Sequence, residues 1–233
     1  MCLILLAKEP SNEYKFVMAS NRDEFYSRPT KSAHWWENPI DLLAGKDLEQ
    51  GGTWMGISKK GKFAAVTNVR DFYSKNYLEK NFSSRGDLVK NFFRSDMDVD
   101  EYQNSLDYKN YLGFNLVLYN QDKINICSSR GKEIIKEKDK IFVIGNKAFG
   151  TSSDKLDSAK KEFDQILNTN FTNEDLLNLM QSPQESYDFD QKKLSENHGN
   201  EFSARFIHSS IYGTRSTSVC LLYTSPSPRD GLL

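Results

Sequence analysis

Cys2-Leu3-Ile4-Leu5-Leu6-Ala7 and, after a polar break, Phe16-Val17-Met18-Ala19-Ser20-Asn21-Arg22-Asp23-Glu24-Phe25 are the stretches on which the fold turns. The first is an apolar run too short for a secretory core, with no basic flank before it, and it reads as a buried strand beginning at the second residue. Phe16 to Ser20 reads as its antiparallel partner, joined to it by the polar turn Glu9-Pro10-Ser11-Asn12. Arg22, Asp23 and Glu24 then follow directly on an apolar strand, a costly place for charge unless the charges are paired or used. A salt-bridged strand end, with Arg22 and Glu24 pairing with each other or with Arg28 and the turn stopped by Pro29, accounts for them without any function.

Working outward, Gly52 to Ser58 and Phe63 to Thr67 form a second pair of strands, joined through Gly61, whose freedom to adopt positive φ suits a tight hairpin. Gly113 to Tyr119 and Lys123 to Ser128 form a third pair, and Ile141 to Ile144 adds a further strand. Helices fall between them. Leu88, Val89, Phe92 and Phe93 share a face after the cap-like Ser84, and Leu156, Ala159, Phe163, Ile166 and Leu167 repeat at helical spacing after Ser153. Thr172-Asn173-Glu174-Asp175 opens a third helix that Pro183 closes. Lys132 to Lys140 reads as a solvated hairpin or loop, Ser182 to Gly199 as a long polar loop, and Ser216 to Val219 as a late return to strand. Antiparallel hairpins interleaved with helices predict an α+β sandwich in which helices cover sheets.

Composition sets the bounds. The 233 residues are 38% hydrophobic and 27% charged, which is globular, and 31 basic residues nearly cancel 32 acidic ones for a net charge of -1. That balance offers no electrostatic footprint for nucleic acid. No apolar run reaches the length of an integral membrane helix. Three cysteines, Cys2, Cys127 and Cys220, do not make a disulfide framework, so a cytoplasmic, reducing setting is expected. Cys220 to Asp230 resembles the translation of a transposon adapter used in sequencing libraries. The expectation is therefore one domain over 1–219, with 220–233 a non-native tail kept out of the fold reading.

Metal and elbow-type chemistry lack a motif: there is no Cys-x-x-Cys, no paired histidine and no Gly-x-Ser-x-Gly, and His34, His198 and His208 stand alone. Cys2 offers another route. Once Met1 is removed, a thiol with a pKa of about 8.5 and an α-amine of about 7.7–8.0 sit on one residue, so the amine can take the thiol proton near neutral pH. A second-position cysteine is also common by chance. Trp35, Trp36 and Trp54 read as core or pocket wall, and Asn115 as part of a sheet.

Met1-Cys2, Asn21-Arg22-Asp23-Glu24-Phe25-Tyr26-Ser27-Arg28-Pro29, Gly51-Gly52-Thr53-Trp54-Met55-Gly56-Ile57-Ser58, Thr67-Asn68, Ser84-Arg85-Gly86-Asp87-Leu88-Val89, Gly113-Phe114-Asn115-Leu116 and Tyr212-Gly213-Thr214-Arg215 occur in the order seen in the NRDE family, also called transport-and-Golgi-organisation protein two. The resemblance covers Met1 to about Val219. It implies a four-layer αββα Ntn-hydrolase-like sandwich of antiparallel sheets covered by helices. By likeness to cysteine amidases of that superfamily, it implies Cys2 as nucleophile, Asp23 as the acid orienting the α-amine, Asn68 and Asn146 on the oxyanion side, and Arg215 as a late arginine. Gly145-Asn146 departs from the usual Ser-Asn pair, and the Pro-Trp that should follow is absent. Asn21, Arg22 and Trp54 are candidate binding residues. The implied activity is hydrolysis of a carbon–nitrogen amide bond in a small-molecule substrate, with no required cofactor. The implied alternative is a non-catalytic carrier of haem or lipid/acyl-CoA cargo linked to Golgi organisation. Protein partners are not implied.

Overall fold

The computed structural model describes residues 2–37, 40–69, 81–131, 139–186 and 204–224. Strand β1 (Cys2–Lys8) pairs antiparallel with β2 (Tyr14–Phe25), Leu5 opposite Ala19. Strand order then continues through β3 (Thr30–Trp35), β4 (Leu43–Asp47), β5 (Met55–Ile57), β6 (Phe63–Asn68), β7 (Phe114–Asn120), β8 (Lys123–Ser128), β9 (Ile141–Ile144), β10 (Gln184–Ser186), β11 (Phe206–His208) and β12 (Tyr212–Tyr223). Among the described residues the helices are α1 (Arg85–Arg94), α2 (Val99–Ser105), α3 (Asp154–Leu167) and α4 (Asn173–Gln181), beside one short 3-10 turn. Sheet A has the order β12-β2-β1-β9 and sheet B the order β3-β4-β5-β6-β7-β8, while β10 and β11 form a small parallel pair.

The period of two along β1 and β2 sorts the core into layers. Leu3, Leu5, Ala7, Val17 and Ala19 pack on Leu156, Ala159 and Phe163 of α3 and on Leu176, Leu179 and Met180 of α4. The alternate residues Ile4, Leu6, Phe16 and Met18 face Phe63, Ala65, Val117 and Tyr119 of sheet B. Sheet B turns its other face, including Ala64, Val66, Leu116 and Leu118, to Leu88, Val89 and Phe92 of α1 and to Val99 and Tyr102 of α2. The order helix, sheet, sheet, helix is therefore built from alternation alone, and it is the expected αββα sandwich.

Several expectations change. Strand β2 does not end at Ser20 but runs to Phe25, because β12 pairs along its whole length, from Tyr212 opposite Phe25 to Tyr223 opposite Tyr14. Asn21, Arg22 and Asp23 thus lie inside a buried strand, not beyond its end. The late strand spans Tyr212–Tyr223 without a break at Val219, and Cys220 and Leu222 pack against the inter-sheet core. The strand expected from Gly52 shrinks to Met55–Ile57. Gly52 instead lies backbone to backbone on Gly86 at the start of α1: a Cβ on Gly52 would come within 2.7 Å of the Gly86 carbonyl carbon. Strands β3 and β4 and helix α2 were not expected. β3 is short and polar, β4 is only five residues long, and α2 buries only Val99 and Tyr102, although its Asp98–Glu101 capping box is readable in sequence.

Trp35 is not a core or pocket residue. It is 47% exposed on edge strand β3, with the Lys59 ammonium 5.0 Å from the ring centroid. The expected caps at Ser84, Ser153 and Thr172 all accept backbone hydrogen bonds at their helix starts. Most of Lys132 to Lys140 and of the Ser182 to Gly199 loop, together with Met1 and His198, lie outside the described residues.

The Gly52–Gly86 contact yields a direct expectation. Gly52→Ala forces two backbones apart and lowers stability by about 1–3 kcal/mol, as overpacking does. Urea unfolding followed by far-UV circular dichroism measures it, and an unchanged midpoint would refute the close approach.

Candidate functional site

A cavity of about 320 Å³ opens where the starts of β1 and α1 meet the ends of β2 and β6, and its lining includes Cys2, Arg22, Asp23, Trp54, Asn68 and Gly86. Cys2 lies directly opposite Arg22 in the β1–β2 ladder. Its position continues the series Ile4 and Leu6, so the thiol faces the inter-sheet side with Arg22. Burial pushes the Cys2 thiol up from its ordinary range, and the Asp23 charge adds to this. The Asp23 backbone amide and the Arg22 guanidinium oppose it. The resting sulfur is therefore a thiol, and attack requires a base close by.

The nitrogen of Cys2 is held apart from its sulfur. It donates to Asn146 Oδ1 at 2.8 Å, and Asn146 Nδ2 donates to the Asn68 carbonyl at 2.7 Å. A backbone donor on one side and a backbone acceptor on the other fix which way the Asn146 amide points. Extending the β1–β9 register, in which Ile4 faces Ile144, brings Cys2 opposite Asn146. The side chain thus takes over the ladder bond at the point where β9 ends.

Asn146 is held in turn by a pair the sequence reading left to the sheet. Thr67 and Asn115 are cross-strand neighbours on β6 and β7, facing sheet A. Thr67 Oγ1 donates to the Gly145 carbonyl at 2.7 Å. Asn115 Nδ2 donates to the Lys147 carbonyl at 2.9 Å and, more loosely, to the Gly145 carbonyl at 3.2 Å and Thr67 Oγ1 at 3.1 Å. Asn115 Oδ1 accepts from the Phe149 amide at 3.0 Å. The Asn115 side chain is fully buried, with its polar atoms engaged on both sides of the residue that grips Cys2. The Thr67-Asn68 and Gly113-Phe114-Asn115 motifs carried the signal, but only the register shows that they grip one loop.

The other expected residues divide between the two sides of sheet A. Asp23 Oδ1 accepts from Thr214 Oγ1 at 2.6 Å, and its carbonyl accepts from the Tyr212 hydroxyl at 3.1 Å, so β12 fixes it. Thr214, inside the Tyr212-Gly213-Thr214-Arg215 motif, was not singled out from sequence. Asn21 faces the helices, donating to the Met180 and Arg205 carbonyls at 2.7 and 2.8 Å and accepting from Thr217. It braces that layer and does not line the cavity. Arg22 stacks its guanidinium 4.2 Å from the Trp54 ring centroid and approaches Glu24 at 3.8 Å. Arg215 sits at an irregularity in β12, where its Nη1 donates to the carbonyls of Phe25 and Arg28 at 2.9 and 2.8 Å. It lines a second, more apolar cavity of about 700 Å³ and not the one holding Cys2, while Arg22 and Trp54 border both. Among the described residues no group of three or more His, Cys, Asp or Glu side chains is placed to hold a metal ion, and no helix is long and apolar enough to cross a membrane.

Two outcomes follow from this geometry. Asn115→Ala leaves buried partners unmet, costing on the order of 1–3 kcal/mol in urea unfolding, whereas an unchanged midpoint would mean the clamp holds nothing. In the chain that retains Met1, the alkylation rate of Cys2 by iodoacetamide, followed by peptide mass spectrometry, rises with pH to a midpoint above the ordinary thiol value of about 8.5. A midpoint at or below that value would contradict the burial. By linkage, the protonated thiol contributes stability below its ordinary pKa, and that contribution is lost as pH rises through the raised folded value.

Comparison with known proteins places this geometry in a family. Residues 1–226 match the family described as Transport and Golgi organisation 2. The chain is 41% identical over 126 residues to the Homo sapiens Transport and Golgi organization protein 2 homolog, covering 50% of this chain and 44% of that protein. The match thus spans less than half of that relative's length. It is 25% identical over 260 residues to the Drosophila melanogaster Transport and Golgi organization protein 2, covering 95% of this chain and 88% of that one. Among solved structures, a Caenorhabditis elegans N-acylethanolamine-hydrolyzing acid amidase ortholog aligns with a TM-score of 0.48 at 10% identity, over 78% of this chain and 86% of that chain. On the strength of a match that runs from the N-terminal cysteine strand through β12, the chain belongs to the Transport and Golgi organisation 2 family.

Proposed function

We propose that the chain is a cysteine N-terminal-nucleophile hydrolase acting on a carbon–nitrogen amide bond of a small substrate. The observation that carries this reading is the Cys2 nitrogen, fixed by Asn146 at 2.8 Å on a cysteine that lines the cavity. Removal of Met1 turns that nitrogen from a peptide amide into an α-amine. Asn146 Oδ1 then serves as its acceptor, leaving the amine lone pair for the thiol proton.

In this reading Cys2 Sγ attacks the substrate carbonyl carbon while its proton passes to the α-amine. The tetrahedral oxyanion collapses, the C–N bond breaks, and the amine leaves with the proton from the α-ammonium. Water then attacks the thioester and gives its proton to the α-amine. The C–S bond breaks, releasing the carboxylic acid and restoring the thiol. Asn68, a residue of the cavity lining, is the proposed oxyanion donor, a role that contributes about 3–4 kcal/mol where it has been tested by mutation. Asn146 has both amide ends engaged, so its proposed role is to orient the nitrogen, with Asp23 supporting the same strand ends. Because the mechanism needs a reduced thiol, the proposed setting is the cytoplasm.

A second reading is a carrier of haem or lipid-like cargo. It is supported by the 700 Å³ cavity, whose lining includes Met18, Leu43, Met55, Ile57 and Phe63. The experiment that separates the two uses the full chain with its N-terminus mapped by intact mass. The hydrolase reading expects loss of Met1, stoichiometric acylation of Cys2 by an activated acyl probe, turnover of some member of an amide panel, and loss of both in Cys2→Ala. Retained Met1 in the mature protein sinks it. Saturable haem or acyl-CoA binding without turnover supports the carrier instead.

A further inference from the structure

Arg22 is a charged side chain at the cavity whose burial the proposed chemistry leaves unexplained. It is 6% exposed, and its Nη1 is buried with no hydrogen-bond acceptor among the described residues. Its Nη2 lies 3.8 Å from Glu24, and Glu24 also lies 4.0 Å from Arg28. The guanidinium carbon lies over the Trp54 ring, 4.2 Å from its centroid, so the ring covers one side of the group while its N–H donors lie in the guanidinium plane. A buried donor on a charged group is costly to leave unmet, and native structures rarely do so without a reason.

We propose that Arg22 is a carboxylate-binding group, and that the cavity beside Cys2 selects amides carrying a carboxylate close to the carbonyl to be attacked. The ladder supplies the distance. Directly opposed residues place their Cβ atoms about 4.5–5.5 Å apart on one face, and Cys2 and Arg22 are such a pair, both lining the cavity. A carboxylate on the Arg22 edge therefore lies within a few bonds of a carbonyl at the thiol. The planar guanidinium matches carboxylate geometry through two parallel hydrogen bonds.

Overall field does not do the selecting. The cavity's arginines, Arg22, Arg28 and Arg85, face an equal number of acids, Asp23, Glu24 and Asp47. Asp47 is held by Arg28 at 2.7 and 2.9 Å, and Asp23 by Thr214 at 2.6 Å. Discrimination rests on one directional donor, not on net charge. The carboxylate could belong to the leaving amine, as in an N-acyl amino acid, or to the acyl half, as in the monoamide of a dicarboxylic acid.

This inference rests on the amidase reading, and the test separates the two. On the full chain, iodoacetamide modification of Cys2 is followed by peptide mass spectrometry with N-octanoylglycine, N-octylsuccinamic acid or neutral N-octanoylglycinamide as protectant. At least one of the two acids is expected to protect at a concentration ten-fold or more below the neutral amide, and which one does so assigns the carboxylate to its half. Arg22→Gln is expected to remove the difference and Arg22→Lys to keep part of it. If Arg22→Gln does not fold, the ligand comparison on the unmodified chain still decides. Equal protection by all three, or by none, overturns the proposal. Acid-selective protection without hydrolysis keeps Arg22 and rejects the amidase, whereas hydrolysis without charge preference does the reverse.

Discussion

The register of β1 against β2 is the constraint on which the site depends. With Cys2 opposite Arg22, the period of two sends the thiol and the guanidinium to the inter-sheet side and Asn21 toward the helices. A slip by one residue would exchange those faces, burying Leu3 and Leu5 where Ile4 and Leu6 belong and carrying the thiol to the wrong side of the sheet. Register is held by the apolar fit of both faces at once. Beyond Ser20 it is held by β12, which pairs through Phe25 and supplies Thr214 and Tyr212 to Asp23.

A second constraint acts at the end of β9. Where the ladder partner of Cys2 would come next, the chain supplies the side chain of Asn146, and the loop bearing it is gripped from sheet B by Thr67 and Asn115. The two sheets are therefore joined by apolar packing through most of their interface and by a small polar network at the end where Cys2 lies. Such a network is stabilising only if each member is satisfied, which makes it a rigid mount for the Cys2 nitrogen and an intolerant one.

Much of this was legible in the sequence because alternation and helical spacing are local. Strands such as Ile141–Ile144 and Lys123–Ser128, and the helices capped by Ser84, Ser153 and Thr172, lie where their patterns end. What the pattern missed depends on contacts distant along the chain. The continuation of β2 through Asn-Arg-Asp-Glu looks like a turn until β12 supplies a ladder partner for its backbone and Thr214 for Asp23. Trp35 carries no local sign that it sits on an edge. Cys2, Asp23, Asn68 and Asn146 do converge at one end of the sheets, but Arg215 turns to brace the Phe25–Arg28 turn, and the Asn146 amide is consumed in holding the Cys2 nitrogen. Single-residue chemistry could nominate Cys2. It could not reveal Asn115, whose role exists only through the register of β6 with β7.

The central claim is that the nitrogen held by Asn146 serves as base for the Cys2 thiol. Its most direct test is the pH dependence of Cys2 acylation, compared between protein beginning at Cys2 and the same chain retaining Met1. The account predicts that freeing the α-amine accelerates acylation near neutral pH by about 10² or more, the range a positioned general base supplies. Equal rates and superimposable pH profiles for the two forms would contradict it.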